Sequence, residues 1–166
     1  MDDLARSKRK DDMLAQCNPV FANRVKLVYD ALEAEGWRPR LQDAWRSQAE
    51  TLRLYKLRLT SVKWSFHNAL NEHGKPDSLA VHVFDDDAPN PASPSLKFIM
   101  RLCYHARRNK LQTGITFGLL NNTRLGLLEA IDSGETDWEG KIGWDSCHLE
   151  VAGISIAQAR QGVRPK

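Results

Sequence analysis

Three of the chain's five histidines fall in one stretch, SFHNALNEHGKPDSLAVHVFDDD, which spans Ser65 to Asp87. His67 sits in a serine-rich, turn-like entry, and His82 sits inside an apolar run. A further imidazole, His148, follows in WDSCHLE, with Asp145 three residues before it. Neutral imidazole is a common ligand of zinc, and a catalytic zinc site typically takes three protein ligands and leaves one position open. Such a site also needs a carboxylate close by as general base. An Asp-x-x-His pair at a strand end can set a base and a ligand side by side. His67, His82, His148 and Asp145 therefore form a candidate zinc centre. Spacing alone leaves open a second reading, in which His82 is a hydrogen-bonded core histidine and the others are surface residues.

These side chains depend on the elements that carry them. LAVHVF alternates, which predicts a strand with Ala80, His82 and Phe84 on one face and Leu79, Val81 and Val83 on the other. KIGWDSCHLEV reads as a turn and a strand carrying His148. Upstream, Phe21, Val25, Val28, Ala31 and Leu32 recur at helical spacing between Val20 and Gly36, and Gly36 is placed to end the helix. WRPRLQDAWR reads as a short strand and turn, because Pro39 excludes a helix interior. Ser47 with Glu50 three residues on reads as a capping box, opening a helix through Leu52, Tyr55 and Leu59. After the loop DDDAPNPASPS a helix is expected over about Ser95 to Asn109, then a strand at TGITFGL, a helix at TRLGLLEAIDSG and a final helical turn at ISIAQARQG. Helices and short strands are mixed rather than strictly alternating. The expected class is α+β, a small antiparallel sheet flanked by helices with the zinc site at the sheet.

With 166 residues, 42% of them hydrophobic and 27% charged, the chain has the composition of a globular protein. One domain is expected over 19–166, preceded by a charged, frayed tail over 1–18. No apolar run is long enough for a membrane span, and the N-terminus lacks the apolar segment of a secretory signal, so synthesis in a cytosol is expected. Cys17, Cys103 and Cys147 are odd in number and widely spaced, which argues against a disulfide framework or a CxxC knuckle. The formal net charge is +3. The tryptophans are scattered with no basic-aromatic ladder, so no nucleic-acid partner is expected.

The order of motifs resembles the VanY/VanX-type zinc peptidases: D-alanyl-D-alanine carboxypeptidases and dipeptidases, and phage L-alanyl-D-glutamate endopeptidases. That family has an arginine-serine pair opening a helix, then Ser-x-His-x-x-Gly-x-Ala-x-Asp, then Glu/Asp-x-x-His. The corresponding stretches here are WRSQAETLRLY, SFHN with a delayed SLAVHV, and WDSCHLE, and the resemblance runs over roughly 19–151. It implies a zinc cofactor held by His67, His148 and the residue at position 82. It further implies Asp145 as general base and Arg46 as the group that holds substrate and stabilises the developing oxyanion. Ser65 would be a hydrogen-bonding support beside the metal. The implied partner is a peptidoglycan stem peptide, and the implied fold is that of the family, with the enzyme acting on the cell wall after release during lysis.

Four departures stand out. The step from His67 to His82 is fifteen residues, longer than in the family's compact motif. Ser78 replaces a glycine, Thr51 replaces a glutamine, and His82 stands where the family has a zinc-binding aspartate. Three histidines and an open position are a known catalytic zinc set. Loss of one negative charge should leave the ion a stronger acid toward water. Imidazole nevertheless reaches further than a carboxylate, and the change at position 82 motivates an alternative, a family member that binds cell wall or serves in a phage particle without catalysis. Asp86, in phase with His82, and Asp77, nearer the motif spacing, are weaker candidates for a carboxylate ligand. His73 reads as exposed loop, and His105 as a helix-surface residue near a basic C-terminal turn.

Overall fold

The computed structural model describes all 166 residues. Its centre is a four-stranded antiparallel sheet in the order β1-β2-β4-β3, formed by β1 (Pro39–Gln42), β2 (Ala80–Asp85), β3 (Leu111–Gly114) and β4 (Asp145–Val151). Helices α2 (Pro19–Ala34) and α4 (Leu96–Arg108) cover one face. Around these lie α1 (Asp3–Leu14), α3 (Gln48–Lys56), α5 (Asn121–Asp132) and the short α6 (Ile156–Arg160). The α+β class and the small antiparallel sheet agree with the sequence pattern.

Local chemistry sets the helices. Asn18 caps α2, its Oδ1 accepting from the Val20 and Phe21 amides at 3.1 and 3.3 Å, with Pro19 in the first turn. Gly36 follows the helix at φ +86°, a conformation that favours glycine. Ser95 caps α4 through the Phe98 amide at 3.2 Å. Phe21, Val25, Val28 and Leu32 of α2 and Phe98, Met100, Leu102 and Ala106 of α4 are fully buried and form the core with Leu41, Val81, Val83, Leu111, Leu149 and Val151 of the sheet.

Three local expectations need correction. Residues 3–14 are not a frayed tail but helix α1, capped by Asp2 and anchored by Arg6, whose buried guanidinium donates to Glu33 at 2.7 Å, Tyr29 Oη at 3.1 Å and the Pro39 carbonyl at 3.3 Å. The third strand precedes most of TGITFGL: it ends at Gly114, where the β4 pairing shifts register, and a turn follows in which the Phe117 amide bonds the Gly114 carbonyl at 3.0 Å. Helix α3 ends at Lys56, short of Leu59, and only the Ser47 half of the capping box forms, because Glu50 pairs with Arg53 instead.

The register assigns the two sheet faces. Val81 lies opposite Leu149, and His82 opposite both His148 and Gln42. Val81, Leu149 and Leu41 enter the core, so the alternating residues Arg40, Gln42, His82, Phe84, His148 and Glu150 lie on the face away from α2 and α4.

Candidate metal centre

Two of the three imidazoles are cross-strand neighbours on that face. His82 and His148 face each other directly between β2 and β4, with ring centroids 5.1 Å apart. The third, His67, comes from the 3-10 turn Phe66–Asn68, and its ring lies 5.3 Å from His82 and 5.2 Å from His148. One ring nitrogen from each lies within 4.8 Å of the other two. That bound is wider than the roughly 3.4 Å between two nitrogens of a tetrahedral zinc ion with bonds of about 2.05 Å, so the three rings would have to draw together to hold one.

Two of the rings are held by a hydrogen bond through one nitrogen, and each of the three has one buried nitrogen without a partner. His67 Nδ1 lies 2.6 Å from the Ala44 carbonyl, which can only accept, so Nδ1 carries the proton and Nε2 the lone pair. His148 Nε2 lies 2.8 Å from the Glu150 carboxylate, which leaves the lone pair on Nδ1. His82 directs Nε2 to Asp145 Oδ1 at 3.4 Å. The three remaining atoms, His67 Nε2, His82 Nδ1 and His148 Nδ1, are buried and unpaired. Buried polar atoms without partners are costly, and three in one place, all lone-pair bearing, are the signature of a cation site. The donor set fits zinc.

Electrostatics favour the ligating state. Burial drives the His67 pKa well below its usual value, and the neighbouring His148 and His82 reinforce the shift, so His67 stays neutral. Asp145, at the start of β4, lies 3.4 Å from His82 Nε2 and 3.8 Å from His148 Nδ1. Burial pushes its carboxyl up, but the contact with His82 and the neighbouring imidazoles outweigh this and hold its pKa below the usual carboxylate range. An ionised carboxylate thus stands at the edge of the histidine cluster.

Arg46 and Ser65 are brought to the same corner. The Arg46 amide bonds the His67 carbonyl at 2.9 Å, and its guanidinium is near enough for its charge to contribute to the lowering of the His67 pKa. Ser65 does not reach the rings; its amide donates to Asn68 Oδ1 at 2.8 Å and closes the turn that presents His67. Asn68 in turn donates to the Arg46 carbonyl at 2.8 Å and to Thr51 Oγ1 at 2.7 Å, which gives the buried threonine a structural place. Ser78, where the family has glycine, shares the Ala44 carbonyl with His67, its Oγ lying 2.7 Å away.

The carboxylate substitutes are elsewhere. Asp86 is engaged by the Met1 amine at 3.0 Å and by Arg40 at 3.5 Å, and Asp77 pairs with Arg164. His73 is exposed beside Glu72. His105, on α4, lies 2.7 Å from Glu35 rather than facing solvent alone.

Two features escaped the sequence reading. Glu150 carries no motif signal; the alternation of the strand expected at KIGWDSCHLEV, which puts it on one face with His148, is the signal that finds it. An aromatic wall also flanks the site: Phe117 lies 5.8 Å from His148, and the 75% exposed Trp144 lies 5.8 Å from Phe117. Two glycines permit it. A Cβ on Gly114 would sit 1.9 Å from the Asp145 carbonyl oxygen, and one on Gly143 would sit 2.1 Å from the Gly114 carbonyl oxygen, so only glycine allows these two loops to meet beside Asp145.

No family model matches the chain, and no curated protein matches it in sequence. Among solved structures, the L-Ala D-Glu endopeptidase ChiX of Serratia marcescens matches with a TM-score of 0.55 over 91% of this chain and 94% of that one, at 12% identity. The chain therefore has the fold of a peptidase, and its sheet face carries three histidines able to hold a metal ion.

Proposed function

We propose that this chain is a zinc-dependent peptidase of peptidoglycan stem peptides, cleaving the L-Ala–D-Glu bond, with the D-Ala–D-Ala bond as the alternative scissile bond. The observation that carries the reading is the triangle of His67, His82 and His148, each ring with one buried, unpaired nitrogen, and an ionised Asp145 beside two of them. The fold shared with ChiX supports the substrate class.

His67, His82 and His148 would hold the ion, which supplies Lewis acidity toward water and the peptide carbonyl. Asp145 accepts a proton from the attacking water as the oxygen adds to the carbonyl carbon. It returns that proton to the leaving nitrogen as the C–N bond breaks. Arg46 binds the substrate and offsets negative charge on the carbonyl oxygen, a task suited to a permanently charged fork of donors. Phe117 and Trp144, set outward from His148, would flank a bound peptide on one side.

The test is digestion of purified peptidoglycan, with fragments read by mass spectrometry, with and without a chelator. The expected result is chelator-sensitive release of peptides whose new termini name the bond, and its absence in Asp145→Asn that still binds one zinc. A wild-type protein that binds zinc but releases nothing would overturn the catalytic reading in favour of a wall-binding family member. That outcome is the one the histidine at position 82 motivates.

A further inference from the structure

Helix α3 and the residues after it are unlike the rest of the molecule. Between Arg46 and Ser65 the chain leaves the body and returns, and Thr51 is the only buried residue of α3. Leu52, Tyr55, Leu57, Leu59 and Val62 all count among the exposed large apolar side chains, with Leu57 54% and Leu59 71% exposed. Five such residues fall within eleven positions, a density unlike that of singly scattered surface leucines.

The same segment is basic. Arg53, Lys56, Arg58 and Lys63 stand against one carboxylate, Glu50, and the excess equals the whole chain's formal net charge of +3. Glu50 is bound to Arg53 at 2.7 Å, which leaves Lys56, Arg58 and Lys63 with no carboxylate partner. Lys63 instead stands 5.3 Å over the Tyr55 ring. Elsewhere in the chain lysines and arginines equal aspartates and glutamates in number, so the formal excess lies in the segment whose leucines are exposed.

We propose that the segment 48–63 docks this protein on the surface of an anionic lipid bilayer. Charge complementarity and exposed apolar area point to the same partner. A hydrophilic polyanion would engage the cations and leave the leucines in water, whereas a bilayer interface takes both, with Tyr55 at the headgroup level. The proposal is independent of the peptidase reading, because it uses none of the histidines and no catalysis.

The experiment is co-sedimentation of the full chain with vesicles of phosphatidylcholine containing phosphatidylglycerol, against vesicles of phosphatidylcholine alone, at low salt. Binding is expected to the anionic vesicles only. Lys56→Gln with Arg58→Asn should weaken it about fivefold per cation removed. Leu57→Ser with Leu59→Ser should weaken it about tenfold or more. Leu27→Ser, at an exposed leucine of α2, should leave it unchanged. Circular dichroism verifies that each variant is folded. Failure to bind either vesicle, or binding that both segment variants leave intact, overturns the proposal. Segment-dependent binding to purified cell walls but not to vesicles would also overturn it and assign the surface to a wall polymer.

Discussion

Glu150 Oε2 lies 2.8 Å from His148 Nε2, and its other oxygen accepts from Gln112 Nε2 at 2.7 Å across the β3–β4 pair. This chain of two hydrogen bonds fixes both the tautomer and the plane of the His148 ring, because a carboxylate held from behind by an amide cannot turn away. Its consequence is that Nδ1, not Nε2, faces His67 and His82. Removing an orienting carboxylate of this kind typically lowers metal affinity 10- to 100-fold. Glu150→Gln, which can still accept one hydrogen bond, is expected near the lower end and Glu150→Ala near the upper, measured by zinc competition against a chromophoric chelator. Unchanged affinity in both would show that the ring is fixed by packing alone.

Position 82 separates the chemistry of the ligand from its geometry. His82 and His148 are directly opposed on neighbouring strands, so a shorter ligand at 82 must rely on the ion moving toward β2. His82→Asp restores the carboxylate of the resembling family and is expected to keep one zinc per chain, while His82→Ala is expected to lose it or bind it at least tenfold more weakly. His67→Ala should lose it as well. Native mass spectrometry with elemental zinc analysis reads all three. Full zinc occupancy in His67→Ala would remove the three-histidine assignment.

The cluster of three histidines was legible in the sequence because histidine is a chemically distinctive residue and because the alternation of LAVHVF already put His82 on the face opposite Val81 and Val83. The capped helices α2 and α4 were legible for the same reason: apolar period and cap agree. Helix α1 was not, since DLARSKRKDDML shows no apolar period, and its buried side chain is the Arg6 guanidinium, with Met13 and Leu14 only partly buried against the core. Glu150 has no motif of its own: strand alternation puts it beside His148, and only the β3–β4 register brings Gln112 to its other oxygen. The end of β3 was hidden because the break comes from a close backbone approach between Gly114 and Asp145, a tertiary constraint with no local signature beyond the glycine itself.

Arg6 makes the N-terminal helix part of the folded body. It joins α1 to Tyr29 and Glu33 of α2 and to the Pro39 carbonyl of β1. Replacing it by alanine leaves a buried hydroxyl and a buried carbonyl with one partner fewer. A loss of about 1–3 kcal/mol is expected for such unsatisfied groups. Urea denaturation monitored by circular dichroism measures it, and deletion of residues 1–14 should cost more than the point change. Equal stability of wild type and Arg6→Ala would return this segment to the status of a dispensable tail.

Glu35 predicts how stability responds to acid away from the metal centre. It ends α2 and bonds Arg101 and His105 of α4, with Arg101 Nε at 2.8 Å and His105 Nε2 at 2.7 Å. The hydrogen bond from Arg101 depresses its pKa most; burial opposes this, His105 adds to it, and the result is a fall from 4.5 to about 2. A carboxyl with a lowered folded-state pKa binds fewer protons folded than unfolded. Its stabilisation is therefore complete above the unfolded value of 4.5 and is lost as pH falls from there toward about 2. Glu35 is partly open to solvent, so the contribution is smaller than the shift alone implies. Glu35→Gln should lower the thermal midpoint at pH 6 and flatten its dependence on pH between 4.5 and 2, measured on the metal-free protein. An unchanged slope over that window would show that Arg101 and His105 hold the α2–α4 junction without this carboxylate.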